Sequence, residues 1–225
     1  MTNSPVVVFG ATCESGIELI RLLSAARIPV IAAVRATSDT SRLESFNVDL
    51  RVAAAQELEE VRAVFNGVPK GVSVVSFLGG GRRSGQPIDA VGNKNAIDAA
   101  VAAGADRFVF VTSIGAGESW EGASSRVKEF LGPVLKLKTE AEDYLKSTKL
   151  RWTIIRPGGL TIPAPTGSGI LVEDPMTMGM VNRSDVGTLT FRALMNDATV
   201  GKAYAAVDRH QCQNVAGGSV EPAEI

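Results

Sequence analysis

Gly10 and Gly16 bracket the segment Ala11-Thr12-Cys13-Glu14-Ser15, directly behind the apolar run Val6 to Phe9. A strand that stops at a glycine and reopens as a helix aims backbone N–H groups and the positive end of a helix dipole at one place, which suits a phosphate. Gly10 permits the tight turn, and Gly16 lets the helix pack closely on the strand. Loops of this type carry a third glycine in between, where the backbone approaches the phosphates; that position is Cys13 here. Its Cβ and sulfur narrow the approach. Thr12 and Ser15 add hydroxyl donors, and Glu14 is an acidic neighbour that a pyrophosphate tolerates only if it points to solvent. Cys13 also reads as a reactive thiol, since a helix N-terminus lowers a thiol pKa, although a bound phosphate opposes that. A purely structural turn is the competing reading of the loop.

The end of the second strand carries the next signal. An acidic residue there holds the ribose 2′-OH of a dinucleotide, and a basic one accommodates a 2′-phosphate. The chain has Arg35, then Ala36, Thr37 and Ser38, with no carboxylate before Asp39. A guanidinium meets a phosphate bidentately, so Arg35 favours NADP(H) over NAD(H). A solvated arginine at a strand end is the alternative. His210 is the only histidine, and Cys13 and Cys212 are the only cysteines, so a metal site or a histidine-based triad has no support.

These residues need a scaffold, and the apolar pattern supplies one. Strands are expected at Val6–Phe9, Pro29–Val34, Val48–Ala53, Val72–Leu78, Phe108–Thr112, Trp152–Ile155 and Ala203–Val207. Helical spacing fills the intervals, with Ile17, Ile20 and Leu23 in the first helix and Leu137, Ala141 and Leu145 in a later one. A loop-rich stretch is expected to about Asn182, then a helix capped by Ser184, and a frayed tail at "GGSVEPAEI". Strands that are continuous apolar runs are covered on both faces by helices. The expectation is an α/β chain with a doubly wound parallel sheet, one Rossmann domain over 1–225. A net charge of -1 gives no electrostatic reason to expect nucleic acid or a membrane surface as partner. No signal peptide or membrane span stands out, so a cytoplasmic location is expected.

The stretches "VFGATCESG", "GNKNAIDAAVAAGADRFVFVTSIGAGES", "LKLKTEAEDYLKSTKLRWTIIRPGGL" and "NRSDVGTLTFRAL" occur in an order that resembles the atypical short-chain dehydrogenases/reductases. The similar branch holds NAD(P)H-binding proteins akin to biliverdin-IXβ/flavin reductase and the nitrogen-metabolite repressors. The resemblance implies that Gly10, Thr12, Cys13, Glu14, Ser15 and Gly16 form the pyrophosphate loop. It implies that Leu78 and Gly79 pass beside the adenosine and pyrophosphate, and that Thr112 and Ser113 end the strand carrying the family's active-site serine. Pro157, Gly158 and Gly159 match the turn that lines the nicotinamide. Lys138 matches the lysine that holds the nicotinamide ribose. The catalytic tyrosine four residues earlier is replaced by Val134, and the adenine-binding aspartate by Ala54 and Ala55.

Ser113 and Lys138 are therefore the candidate catalytic residues. Ser113 either orients substrate or bonds its own loop; Lys138 either holds ribose or pairs with Glu142 at i,i+4. The substrate side is expected from loops 79–86, 114–126 and 161–181, with Trp120 and Met178 as apolar platforms for a flat ligand. Without the tyrosine, an acceptor that spreads the incoming charge is favoured. The expected activity is NADPH-dependent reduction of a flavin-, bilin- or quinone-like molecule. A non-catalytic NADP(H)-binding regulator or scaffold, and a non-redox isomerase or cyclase on the same fold, are the alternatives.

Overall fold

Along β1 (Val6–Phe9), Val6 and Val8 turn to one side and Val7 and Phe9 to the other, and all four are buried. That alternation requires cover on both faces, and the chain supplies it. The computed structural model describes residues 4–79, 87–162 and 164–224. Strands β2 (Val30–Val34), β3 (Val48–Val52), β4 (Ser73–Ser76), β5 (Arg107–Val111) and β6 (Arg151–Pro157) run parallel to β1. Three short strands follow, β7 (Gly159–Thr161), β8 (Gly169–Val172) and β9 (Thr177–Asn182), then β10 (Lys202–Asp208) and β11 (Cys212–Asn214).

Among the described residues the large sheet has the order β3-β2-β1-β4-β5-β6-β10-β8, with β8 its one antiparallel member. The order reverses between β1 and β4, and in such sheets ligands bind beyond the carboxyl ends of the strands at that point. One face is covered by α1 (Glu14–Ala25) and α5 (Arg183–Met195), which pack on each other through Leu19, Leu23, Val186 and Leu189. The other carries α2 (Leu58–Ala63), α3 (Val91–Ala102) and α4 (Ser125–Lys146). This is the expected doubly wound α/β fold.

Three local expectations are corrected. The supposed loop 161–181 contains strands: β9 pairs with β7 and β11 in a small second sheet, and β8 extends the large one. Helix α5 is capped by Asn182, whose side chain accepts from the Ser184 N–H at 2.7 Å, so the cap stands two residues before Ser184. The tail is not frayed, because the Ala223 N–H donates to Leu171 O at 2.7 Å and Val220 packs on the β8–β10 cluster.

The contact between α1 and α5 rests on Gly187. A Cβ there would stand 2.5 Å from Ser15 O and 2.8 Å from Glu18 Cβ. Backbone cannot yield as a side chain can, so Gly187→Ala should destabilise the fold by about 1–3 kcal/mol despite alanine's better helix propensity. Urea unfolding checks this; equal or greater stability would show that the two helices separate freely.

Candidate functional site

The glycine-rich loop sits at the carboxyl end of β1. Gly10 has φ +74°, and a Cβ on it would meet the Phe77 backbone at 3.1 Å. A Cβ on Gly16 would lie 2.6 Å from Gly10 O. The turn is thus closed as tightly as an anion cradle needs. Cys13 is the N-cap of α1: its Sγ accepts from the Gly16 N–H at 3.3 Å, so the residue in the middle-glycine position caps the helix. Burial around the sulfur pushes the thiol pKa up, against the N–H groups of Gly16 and Ser15 that pull it down. The direction runs against the reactive-thiol expectation, although the residue itself is exposed. The Ser15 hydroxyl donates to Arg183 O at 2.7 Å and ties α1 to α5. Its proton is spent there rather than on a phosphate.

Glu14 opens α1 and forms a bidentate ion pair with Arg42, which lies on the 3-10 turn Ser41–Leu43 beyond β2. The Arg42 guanidinium holds the Glu14 carboxyl below its ordinary range. The acidic neighbour is compensated rather than aimed at a phosphate. Arg35 is exposed, and its guanidinium has no hydrogen bond or ion pair among the described residues; only its backbone is engaged, with Ser38. A closed glycine turn, a helix N-terminus and an unpaired arginine fit a dinucleotide pyrophosphate and a 2′-phosphate.

Beyond β4, a buried polar network shapes Leu78 and Gly79. The Ser76 hydroxyl donates to Asn93 Oδ1 at 2.7 Å, and Asn93 Nδ2 donates to Asp89 O at 3.0 Å and Leu78 O at 3.3 Å. Lys138 on α4 reaches this corner and pairs with Asp89 at 2.8 Å; their side chains are 12% and 3% exposed. A Cβ on Gly79 would stand 3.2 Å from Asp89 Oδ1 and 3.3 Å from Lys138 Nζ, so glycine there leaves room for the pair. The partner of Lys138 is Asp89 and not Glu142. Sequence reasoning missed Asp89, which is far from Lys138 along the chain. The rest of loop 79–86, with Arg82 and Arg83, lies outside the described residues.

Glu142 is buried beneath the ends of β5 and β6. It accepts from the Thr112 hydroxyl at 2.6 Å and from Arg156 Nη2 at 2.6 Å. Glu118 also binds Arg156, and takes Lys146 Nζ at 2.7 Å. Burial alone would raise the Glu118 carboxyl; Lys146 and Arg156 outweigh it and hold the pKa down to about 2. Gly117, with φ +53°, passes so close that a Cβ would stand 2.2 Å from Arg156 Nη2. Above this network the Ser113 hydroxyl donates to Ile114 O at 3.0 Å, which is the own-loop arrangement. Pro157 O accepts from the Ile114 N–H at 2.8 Å, and Gly158 approaches Gly179 so closely that a Cβ would lie 2.2 Å from its carbonyl oxygen.

Neither tyrosine reaches the site. The Tyr144 hydroxyl donates to Asp98 at 2.6 Å, and Tyr204 is 1% exposed in the core. Val134 stands one turn before Lys138 on α4. A hollow of about 400 Å³ opens beside the loop, lined by Gly117, Glu118, Trp120, Glu121, Lys136 and Thr139. Lys128 caps the Trp120 ring at 5.3 Å. Met178 does not line this hollow. It packs on Gly122, where a Cβ would meet its Cε at 2.5 Å.

Two outcomes follow from this geometry. Arg35→Asp should weaken NADPH binding at least about tenfold, or 1.4 kcal/mol, and leave NADH nearly unchanged, as titration calorimetry with both would show. Equal losses would mean that Arg35 points elsewhere. Glu118 has a folded pKa of about 2 against an ordinary 4.5, so its stabilisation is present above 4.5 and disappears as the pH falls towards 2. Melting curves of Glu118→Gln and the parent should differ at pH 7 and converge over that window; a gap that stays constant with pH would contradict the assignment.

Residues 10–197 match the NAD(P)H-binding protein family. A solved relative, the anaerobilin reductase ChuY of Escherichia coli O157:H7, superposes with a TM-score of 0.81 over 98% of this chain and 100% of that one, at 28% identity. YhfK of Bacillus subtilis, described as an uncharacterized sugar epimerase, is 28% identical over 88% of this chain and 92% of its own. The NAD(P)H azoreductase of Xenophilus azovorans is 28% identical over 68% of this chain and 47% of its own length. The resemblance to atypical short-chain dehydrogenases/reductases and the NADP(H) expectation agree with these matches. No described helix is long and apolar enough to cross a membrane. The chain belongs to the NAD(P)H-binding family.

Proposed function

We propose that this protein is an NADPH-dependent reductase of a flat, conjugated small molecule. When bound, the reduced nicotinamide supplies a hydride. The chain's own part is to orient the reactants and to manage one proton. The observation that carries the reading is the proton inventory at the carboxyl ends of β4 to β6. Val134 replaces the tyrosine, the Ser113 hydroxyl donates to Ile114 O, and Lys138 is held by the buried Asp89. Among the described residues no strong side-chain acid stands ready, so a simple carbonyl would develop its charge unaided. A conjugated acceptor spreads that charge and takes its proton from water. Trp120, on the rim of the hollow, offers such a ligand an aromatic surface.

The names of two relatives support the same class, since one is a bilin reductase and another an azoreductase. In this reading Lys138 holds the nicotinamide ribose while Asp89 keeps it in place, and Pro157, Gly158 and Gly159 line the nicotinamide. The cytoplasm is the proposed location. The epimerase description of YhfK favours a second reading, a non-redox isomerase on the same fold.

The two readings separate in one assay. NADPH oxidation, followed by absorbance, is measured against flavin, bilin, azo, quinone and simple ketone panels. Turnover is expected on the conjugated panels and absent on simple ketones. Ser113→Ala should slow it by about tenfold or less, because an orienting group is lost rather than an essential acid. Tight NADPH binding with no oxidation on any panel would overturn the reductase in favour of the isomerase or a non-catalytic regulator.

A further inference from the structure

Of the arginines around the glycine-rich loop, one has a carboxylate partner that nothing in the fold requires. Glu14 and Arg42 are 28 residues apart in the chain, join α1 to the turn after β2, and have side chains 43% and 55% exposed. No core packing depends on the pair. Glu14 is the one acidic residue between Gly10 and Gly16, and it stands at the positive end of α1. Arg35, seven residues before Arg42, points its guanidinium at no group among the described residues. After Arg35 the chain turns, with Ser38 N–H donating to Arg35 O at 2.9 Å, and Arg42 lies on the 3-10 turn that follows.

We propose that Glu14 and Arg42 form an exchangeable clasp at the adenosine end of the site. Glu14 holds Arg42 in the free protein, and the 2′-phosphate of NADP(H) replaces Glu14 as its partner. The inference rests on the reading that Arg35 faces that phosphate. A carboxylate and a phosphate present similar oxygen edges to a guanidinium fork, so the exchange keeps Arg42 paired throughout. A dianionic phosphate between Arg35 and Arg42 attracts both, whereas one carboxylate compensates only Arg42. A nucleotide that lacks the 2′-phosphate offers Arg42 nothing in return, and the clasp stays closed. Glu14 is thereby a specificity-determining residue. It sets a threshold that only a 2′-phosphorylated ligand passes, and it screens the loop from stray monovalent anions.

The probes are 2′,5′-ADP and 5′-ADP, which differ in the 2′-phosphate and carry no nicotinamide. Their binding is read by titration calorimetry at low salt for the parent, Glu14→Gln, Arg42→Gln and the double variant. Both side chains are exposed, and melting curves confirm that each variant folds. Glu14→Gln should tighten 2′,5′-ADP by about threefold to fivefold, the size of one exposed ion pair, with 5′-ADP within about twofold of the parent. Arg42→Gln should weaken 2′,5′-ADP by at least a similar factor, and adding Glu14→Gln to it should then have a smaller effect than alone. If Glu14→Gln weakens 2′,5′-ADP, the carboxylate orients Arg42 for the ligand and the exchange is wrong. If both probes shift equally, or Arg42→Gln changes nothing, the clasp is a surface ion pair only. If the parent shows no preference for 2′,5′-ADP, the Arg35 reading itself falls, and the clasp with it.

Discussion

The reacting half of the site depends on one buried ion pair. Arg156 and Glu142 have side chains 4% and 0% exposed, and they join β6 to α4 beneath the proposed reacting surface. Burying two charges is costly, and only close geometry with further hydrogen bonds offsets it. Those bonds come from Thr112 at the end of β5 and from Glu118 on the loop above. Each member stands beside a candidate site residue: Thr112 beside Ser113, Arg156 beside Pro157, Glu142 one turn after Lys138, Glu118 close to Trp120. Removing one partner of such a pair costs on the order of 3–5 kcal/mol, because the other charge stays buried. The candidate site residues therefore keep their geometry through this network beneath them.

The network also accounts for how the loop after β5 is built. Gly117 carries a positive φ and leaves no room for a Cβ beside Arg156. Its N–H donates to the Thr139 hydroxyl at 2.9 Å, which in turn donates to Leu135 O. The loop is thereby locked to α4 at two levels, one ionic and one neutral. A flat ligand in the hollow beside it would meet a surface already set.

How much of this was legible in the sequence depends on how local each signal was. Six of the seven parallel strands appear as apolar runs because helices cover both their faces; β3, with Leu50 and Val52 exposed, is the edge strand and gives the weaker signal. Strands β7, β8 and β9 are not expected, because they are three to six residues long and each contains a glycine. β8 pairs with β10 and β9 with β11, both of which follow later in the chain, and β7 pairs with β9. The site residues were legible as types and not as partnerships. Lys138 was found, but Asp89 meets it only because the turn before α3 folds over Gly79. Cys13 was read as an obstacle in the loop, yet its sulfur caps the helix that the loop begins. Arg156 carried the one usable hint of the network, since a charged residue inside a buried strand implies a buried partner.

The two ends of the site treat positive charge in opposite ways. At the adenosine end, Arg35 is unpaired among the described residues and Arg42 is held by an exposed, salt-sensitive contact. At the proposed reacting end three cations are committed to carboxylates: Lys138 to Asp89, Arg156 to Glu142 and Glu118, Lys146 to Glu118. Free cations attract an anionic ligand over several ångströms, so the first end is suited to capture. Cations locked to carboxylates present little net field, so the second is suited to position a reactant without polarising it. An acceptor that needs a strong acid gains nothing from such a surface. One that delocalises its own charge needs only to be held flat and in place.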